Sequence, residues 1–342
     1  MALVLDAMGS DQYPDPEIRA AIDFSNEYDV EILLVGNEDI IKPKLTAARG
    51  NTSKIRLVHA PDILEMWDKP VENAKKKPLN SMAEGLKLVK SGEGQAFISA
   101  GNTGGILFNA IRTLGRLKDV QRPALTALFP VKGGRCVVLD IGANAECRPE
   151  FLLQFAVMGS IYAQKTLKIE KPRVGLLSNG EEAGKGNQLT KDTYHLLEES
   201  GLNFIGNVEG KEVFGGHTDV VVTDGFTGNI LLKSSESVAK LITDTLKQEL
   251  MVSFQTKIGA LLAKPAFKAI KKLMDPGEIG AAPLLGVDGL VFVAHGRSDA
   301  RAMTSALRVA YESVQSELLG SLRSGIQDRL SNHPSSDPKL IE

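Results

Sequence analysis

Six short runs rich in Gly, Asn, Ser and Thr each follow directly on a stretch of aliphatic residues in this 342-residue chain. They begin at Asp6, with Gly9 and Ser10 behind it, and at Ser99, which leads into Gly101, Asn102, Thr103 and Gly104. Further on they begin at Asp140, ending on Asn144, and at Ser178, reaching Gly184, Lys185, Gly186 and Asn187. The last two are Asp224, Gly225, Thr227, Gly228 and Asn229, and the pair His295-Gly296. Glycine lets backbone approach a ligand closely, short polar side chains add hydrogen bonds, and turns that open helices point unpaired N–H groups outward. One such turn is ordinary loop chemistry. Several at the carboxyl ends of parallel strands, all expected on one edge of a sheet, point to an anion site.

Charged side chains within these runs narrow the chemistry. Lys185, flanked by Gly184 and Gly186, is placed to neutralise an anion or polarise a carbonyl; the plainer alternative is a solvated loop lysine. His295 is of the residue type best suited to proton donation to a leaving group near neutral pH, or else bonds to neighbouring backbone. Asp6, Asp140 and Asp224 have no spacing that demands a metal, and none is expected. Cys147 lacks a partner base in sequence and reads as a small core residue. Two nucleotide motifs fail. The stretch from Gly180 to Gly186 is one residue short of a P-loop and has Gly186 where a magnesium-binding hydroxyl would stand. No GxGxxG follows the first strand. No cofactor is expected.

The elements that must position these residues are legible as short apolar runs alternating with helical patterns. Strands are predicted at residues 3–5, 32–35, 55–58, 96–99, 125–129, 137–141, 174–177, 220–223 and 290–294, and helices at 81–90, 105–117, 150–165 and 188–200. The fold class is α/β, a three-layer α/β/α unit with a largely parallel sheet over residues 1–330. A helical amphipathic appendage is expected at about 235–280, and a frayed tail at 331–342. Composition is that of a globular protein, 43% hydrophobic and 24% charged, and the formal net charge of −2 gives no field for nucleic acid. Two cysteines without CxxC spacing and a first strand at the N-terminus fit a cytoplasmic protein, and no apolar run reaches the roughly 20 residues of a membrane span.

Taken in order, the runs at 6–9, 99–104, 139–144, 180–187 and 223–229, with Pro283–Val287 and His295-Gly296, resemble the PlsX family of phosphate acyltransferases over nearly the whole chain. Ser10 stands where that family usually has a second glycine. The segment Lys75-Lys76-Lys77-Pro78-Leu79-Asn80-Ser81-Met82 lacks the acid and one serine of the family pattern, and Glu146 precedes Cys147 where aspartate is common. The resemblance implies a fold similar to isopropylmalate dehydrogenases and phosphotransacetylases, and a homodimer. It also implies transfer of a fatty acyl group from acyl carrier protein to inorganic phosphate, for phospholipid synthesis.

On that reading a phosphate oxygen attacks the thioester directly, so the protein supplies position, an oxyanion site and help for the leaving sulfur. Acyl carrier protein is acidic and needs a basic dock, for which Lys75–Lys77 is one candidate. The stretch 254–274 is richer. It carries Lys257, Lys264, Lys268, Lys271 and Lys272 with no acid, while Phe254, Ile258, Leu261 and Leu262 recur at helical spacing. Pro265 is expected to divide it into two short helices. The pattern suits peripheral contact with an anionic membrane, a carrier dock or a dimer-packing pair. The competing activities are a phosphotransacetylase-like enzyme acting on acyl-CoA and, outside enzymes, a non-catalytic scaffold of lipid synthesis.

Overall fold

The computed structural model describes residues 1–274, 277 and 280–330, without the side chains of 269–274 and 330. The tail at 331–342, the end of the expected appendage and the side chains of Lys271 and Lys272 lie outside the described residues.

Eleven strands form one sheet. They are β1 (Ala2–Asp6), β2 (Glu31–Gly36), β3 (Ile55–His59), β4 (Ala96–Ser99), β5 (Ala124–Val131), β6 (Gly134–Leu139), β7 (Val174–Leu177), β8 (Phe204–Val208), β9 (Val220–Val222), β10 (Ala281–Leu285) and β11 (Leu290–Ala294). Their order across the sheet is β3-β2-β1-β4-β11-β10-β5-β6-β9-β7-β8. Strands alternate their side chains between two separate cores. Leu3, Leu5, Ile32, Leu34, Val137 and Leu139 face one, and Val4, Leu33, Val35, Cys136 and Val138 the other. The first core is closed by α1 (Asp15–Tyr28), α6 (Pro149–Thr166), α11 (Ala300–Gln315) and α12 (Leu318–Leu330). The second is closed by α4 (Ser81–Ser91) and α5 (Thr103–Thr113). Helix α6 has thirteen consecutive buried residues, Phe151 to Ala163, because helices and sheet pack around it on several sides.

The sheet reverses in its middle. Strands β3, β2, β1, β4 and β11 are parallel, as are β6, β9, β7 and β8. Between the two sets β10 runs antiparallel to β11 and to β5, and β5 antiparallel to β6. Three reversals leave the two parallel sets pointing in opposite directions. The expectation that all the glycine-rich loops share one edge is therefore wrong: those after β1, β4 and β11 lie at one edge, and those after β6, β7 and β9 at the other.

Beyond the sheet, β9 feeds a long helix, α9 (Gly225–Leu250), which turns back as α10 (Phe254–Met274). Helix α10 is continuous through Pro265, against the expected break. A proline removes one backbone donor, and in an exposed helix the freed carbonyl can be solvated instead.

Candidate functional site

At the first edge the loops are tightly built. Asp6 is fully buried, its Oδ1 accepting from the Met8 amide at 3.0 Å and its Oδ2 from the Ser99 hydroxyl at 2.6 Å. Ser99 Oγ in turn accepts from the Gly101 amide at 3.1 Å. One carboxylate thus ties the turns after β1 and β4 together, and burial raises its pKa against the pull of those hydrogen bonds. A Cβ at Gly9 would stand 2.7 Å from the Gly101 nitrogen, and one at Gly104 2.7 Å from Pro70 Cγ. At Gly101 and Gly105 it would strike Met82 and Leu64. These glycines are where they are because neighbouring chain packs against them. Asn102 caps α5 by accepting from the Gly105 amide at 3.0 Å and donates through Nδ2 to the carbonyls of Met66 and Asp68, both at 3.0 Å. Thr103 stands exposed one residue on.

His295 closes this row. Its exposed ring accepts through Nδ1 from the Arg297 amide at 3.1 Å, leaving Nε2 as the outward nitrogen. The backbone bond foreseen as the plainer alternative is thus present, and Nε2 accepts or donates no hydrogen bond among the described residues. The Asp11 amide donates to the Gly296 carbonyl at 2.7 Å, joining the β1 turn to the β11 turn. Beneath them lies Glu17, with no exposed surface, whose Oε1 accepts from the Ser10 amide at 3.1 Å. Glu17 Oε2 and Ser10 Oγ have no hydrogen-bond partner among the described residues. Burial, reinforced by the nearby Asp6 carboxyl, pushes the Glu17 carboxyl up to about 7.

At the second edge Asp140 organises the turn after β6. Its Oδ1 accepts from the amides of Leu125, Gly142 and Ala143, and its Oδ2 from the Asn144 amide at 2.6 Å and the Asn144 side chain at 2.9 Å. Asn144 also donates to the Pro123 carbonyl at 2.7 Å, so its amide group is turned inward. Asp224 caps α9, accepting from the Thr227 amide at 2.8 Å and hydroxyl at 2.7 Å. Gly225 and Gly228 admit the Asn144 and Asp140 carbonyls against the first turn of that helix, and Asn229 is exposed beside Gly142. Burial, with the Asp140 carboxylate adding to it, pushes the Cys147 thiol up to about 12.

The turn after β7 differs in kind. Gly184, Lys185 and Asn187 are exposed, Gly184 has nothing within 4 Å of a built Cβ, and Lys185 has no ion pair among the described residues. The Gly186 amide donates to Asn179 Oδ1 at 3.0 Å, and Asn187 caps α7 (Gln188–Glu198) through the Thr190 amide at 2.9 Å. Asp6 lies at the other edge from Asp140 and Asp224, so those three carboxylates do not converge. Among the described residues the acids close enough to share an ion are Glu181, Glu209 and Glu212, and Lys211 pairs with all three.

The two catalytic candidates are thus apart. Five strand spacings separate β11 from β7, roughly 24 Å across the sheet, and their loops lie at opposite strand ends, roughly 15 Å apart in the perpendicular direction. Residues the sequence reading passed over include Glu17, Met66 and Asp68. Their signals were faint: a glutamate on a helix face, and a Leu-Glu-Met-Trp stretch without periodicity.

The fold is shared with phosphotransacetylase and hydroxythreonine-phosphate dehydrogenase structures. A phosphotransacetylase from Streptococcus pyogenes superposes with a TM-score of 0.62 at 16% identity, over 92% of this chain and 94% of its own. A 4-hydroxythreonine-4-phosphate dehydrogenase from Klebsiella pneumoniae does so at 0.51 with 13% identity, over 90% and 98%. The family model described as "Fatty acid synthesis protein" matches residues 1–320. Proteins named phosphate acyltransferase are 44% identical in Pelotomaculum thermopropionicum, over 96% of this chain and 95% of that one, and 45% identical in Elusimicrobium minutum, over 96% of each. The chain belongs to this phosphate acyltransferase family.

Proposed function

We propose that this phosphate acyltransferase takes a fatty acyl group from acyl carrier protein and gives it to inorganic phosphate, the product feeding phospholipid synthesis. A phosphate oxygen attacks the thioester carbonyl carbon, the carbon–sulfur bond breaks, and the carrier's thiolate leaves and is protonated. Identity of 44% over nearly the whole chain to a phosphate acyltransferase supports the acceptor, and the open loop at Gly184 and Lys185 is the observation that carries its seat. There the Lys185 ammonium, without an ion pair among the described residues, and the open backbone at Gly184 suit a phosphate, which the packed turns at the other edge do not. His295, with Nε2 outward, suits protonation of the departing sulfur.

Lys185 and His295 of one chain are too far apart to serve one thioester, and a homodimer that sets the Lys185 edge of one protomer against the His295 edge of the other unites them. Helices α9 and α10 are the surface we assign to assembly and membrane contact. Val238, Leu241 and Ile242 are exposed on α9, and Phe254, Leu261 and Leu262 stand out at the turn and along α10, beside Lys257, Lys264 and Lys268. No described helix is long and apolar enough to cross a membrane, so such contact is peripheral.

The test is release of free thiol from palmitoyl-acyl carrier protein with and without inorganic phosphate. Release should depend on phosphate and fall by roughly 10²–10³ in Lys185→Ala, the usual cost of removing a preorganised electrostatic donor. Exchanging subunits between Lys185→Ala and His295→Ala should restore about a quarter of wild-type activity, since half of the dimers are mixed and each holds one whole site. Phosphate-independent release, or preference for acyl-CoA at equal concentration, would sink the reading; no recovery on mixing would return both residues to one protomer's site or to none.

A further inference from the structure

A cleft of about 380 Å³ lies beside the first edge, between the β1 turn (Met8 to Asp11, with Tyr13) and the arm Leu64-Glu65-Met66-Trp67. That volume is within the range of small-ligand sites. The arm is held firmly in place. Asn102 bonds the carbonyls on either side of Trp67, Lys77 Nζ reaches the Ile63 carbonyl at 2.8 Å and Asp68 Oδ2 at 2.6 Å, and Tyr13 donates to Glu65 at 3.2 Å. Yet its tip is left in water: Trp67 is 82% exposed and Met66 40%. A tryptophan so placed on a fixed arm is apolar area awaiting a cover.

The cleft's place and lining say what covers it. Its mouth adjoins the β11 turn, where a Cβ on Gly296 would meet Met66 Cε at 2.7 Å, so the arm ends next to His295. Met8, Leu64, Met66 and Trp67 give it an apolar wall, set against the polar groups of Ser10, Tyr13, Asp11 and Glu65. The charged groups among its lining residues, Asp11 and Glu65, are both acids, which repel phosphate and other anions. Ser10 lies in its lining, and the 75–82 segment supplies the Lys77 anchor and the Met82 side chain under Gly101.

We propose that this cleft seats the fatty acyl chain of the donor and that Trp67 determines which chain lengths are accepted. The proposal rests on the function argued above. An acyl chain entering here runs from the carbonyl, beside His295, outward along Met66 and Trp67, and a longer chain covers more of the indole.

Trp67 is the chain's one tryptophan, so its fluorescence reports this cleft alone. Palmitoyl-pantetheine should shift the emission to the blue, while pantetheine and inorganic phosphate leave it unchanged. Trp67→Ala, a change at an exposed site that leaves the fold intact, should raise KM for palmitoyl-acyl carrier protein about tenfold with kcat within about twofold, as expected for loss of roughly 1.4 kcal/mol of uniform binding. Its discrimination between palmitoyl and octanoyl donors should shrink, and Trp67→Phe should restore most of it. An emission unmoved by palmitoyl-pantetheine that calorimetry shows to be bound overturns the proposal, as does an equal response to pantetheine, which would make the cleft the carrier arm's seat. Thiol release by wild type in the same preparation scores the transferase reading separately, so either idea can fail alone.

Discussion

The turns at 99–105 and 179–187 are both built of glycine, asparagine and short polar residues, and each opens a helix capped by an asparagine, Asn102 or Asn187. In the first, the glycines admit other parts of the chain: Met82 against Gly101, Pro70 against Gly104, Leu64 against Gly105. In the second, Gly180 and Gly186 admit the neighbouring Lys185 and Thr190 side chains, Gly184 meets nothing, and Lys185 stands in solvent. Glycine's missing Cβ is used in the first turn to join distant segments and at Gly184 to leave backbone bare. Composition alone does not separate the two uses, and only the bare one is free to receive an anion.

The difference is sharpest at Gly9, which belongs to the closed joint. A Cβ there would stand 2.7 Å from the Gly101 nitrogen and 3.0 Å from the Ala100 nitrogen, and backbone cannot swing aside as a side chain can. Gly9→Ala is expected to destabilise the protein by about 3 kcal/mol, at the upper end of overpacking costs. A shifted midpoint in urea unfolding, with unchanged slope, is the measurement. A variant as stable as wild type would mean that the joint is looser than described and that this edge, too, has backbone to offer a ligand.

Glu17 supports the same joint from below, and its effect depends on pH. Its carboxyl is raised by burial from the ordinary 4.5 to about 7. The folded state therefore holds a proton that the unfolded chain has already released, and the neutral acid's advantage is present in full below pH 4.5. It is lost as pH rises through about 7, where the buried group must ionise. A shift of that size corresponds to about 3 kcal/mol. Glu17→Gln keeps an oxygen for the Ser10 amide but must bury an amide with unmet donors, at a cost of about 1 kcal/mol. Above pH 7 the variant should therefore be the more stable by about 2 kcal/mol, and below pH 5 the less stable. Melting curves across this range check it, and parallel curves for the two proteins would show that Glu17 is already paired.

Why two edges were mistaken for one can be traced to particular residues. The apolar runs located nine strands, but aliphatic side chains carry no direction, and direction decides which edge a turn occupies. The signal was present at Lys132-Gly133, the two residues that join β5 to β6. Parallel strands need a crossover of a dozen residues or more, so that link alone requires an antiparallel pair and reverses β6 to β9, until β11 turns the chain back. The two strands not foreseen were obscured by their own residues: Gly206 and Asn207 interrupt the run in β8, and Pro283 sits inside β10. Capping asparagines and helix-opening glycines were legible because their chemistry is local. The Asn102 bonds to Met66 and Asp68 were not, since nothing in the sequence joins positions 34 and 36 residues apart.

The smallest expected effect falls on the open loop. Gly184 has no left-handed φ and an unobstructed Cβ direction, so alanine fits there without strain. Its stability should lie within about 0.5 kcal/mol of wild type, on the favourable side if the loss of unfolded-chain freedom is felt. Activity is the more telling readout. A methyl group next to Lys185 would stand where a phosphate must approach the backbone, so KM for phosphate should rise while KM for the acyl donor does not. If Gly184→Ala left both constants unchanged, the bareness of this loop would be incidental, and Lys185 would act by charge alone. If both rose together, the phosphate and the thioester would share this loop, and the division of labour between the two edges would have to be redrawn.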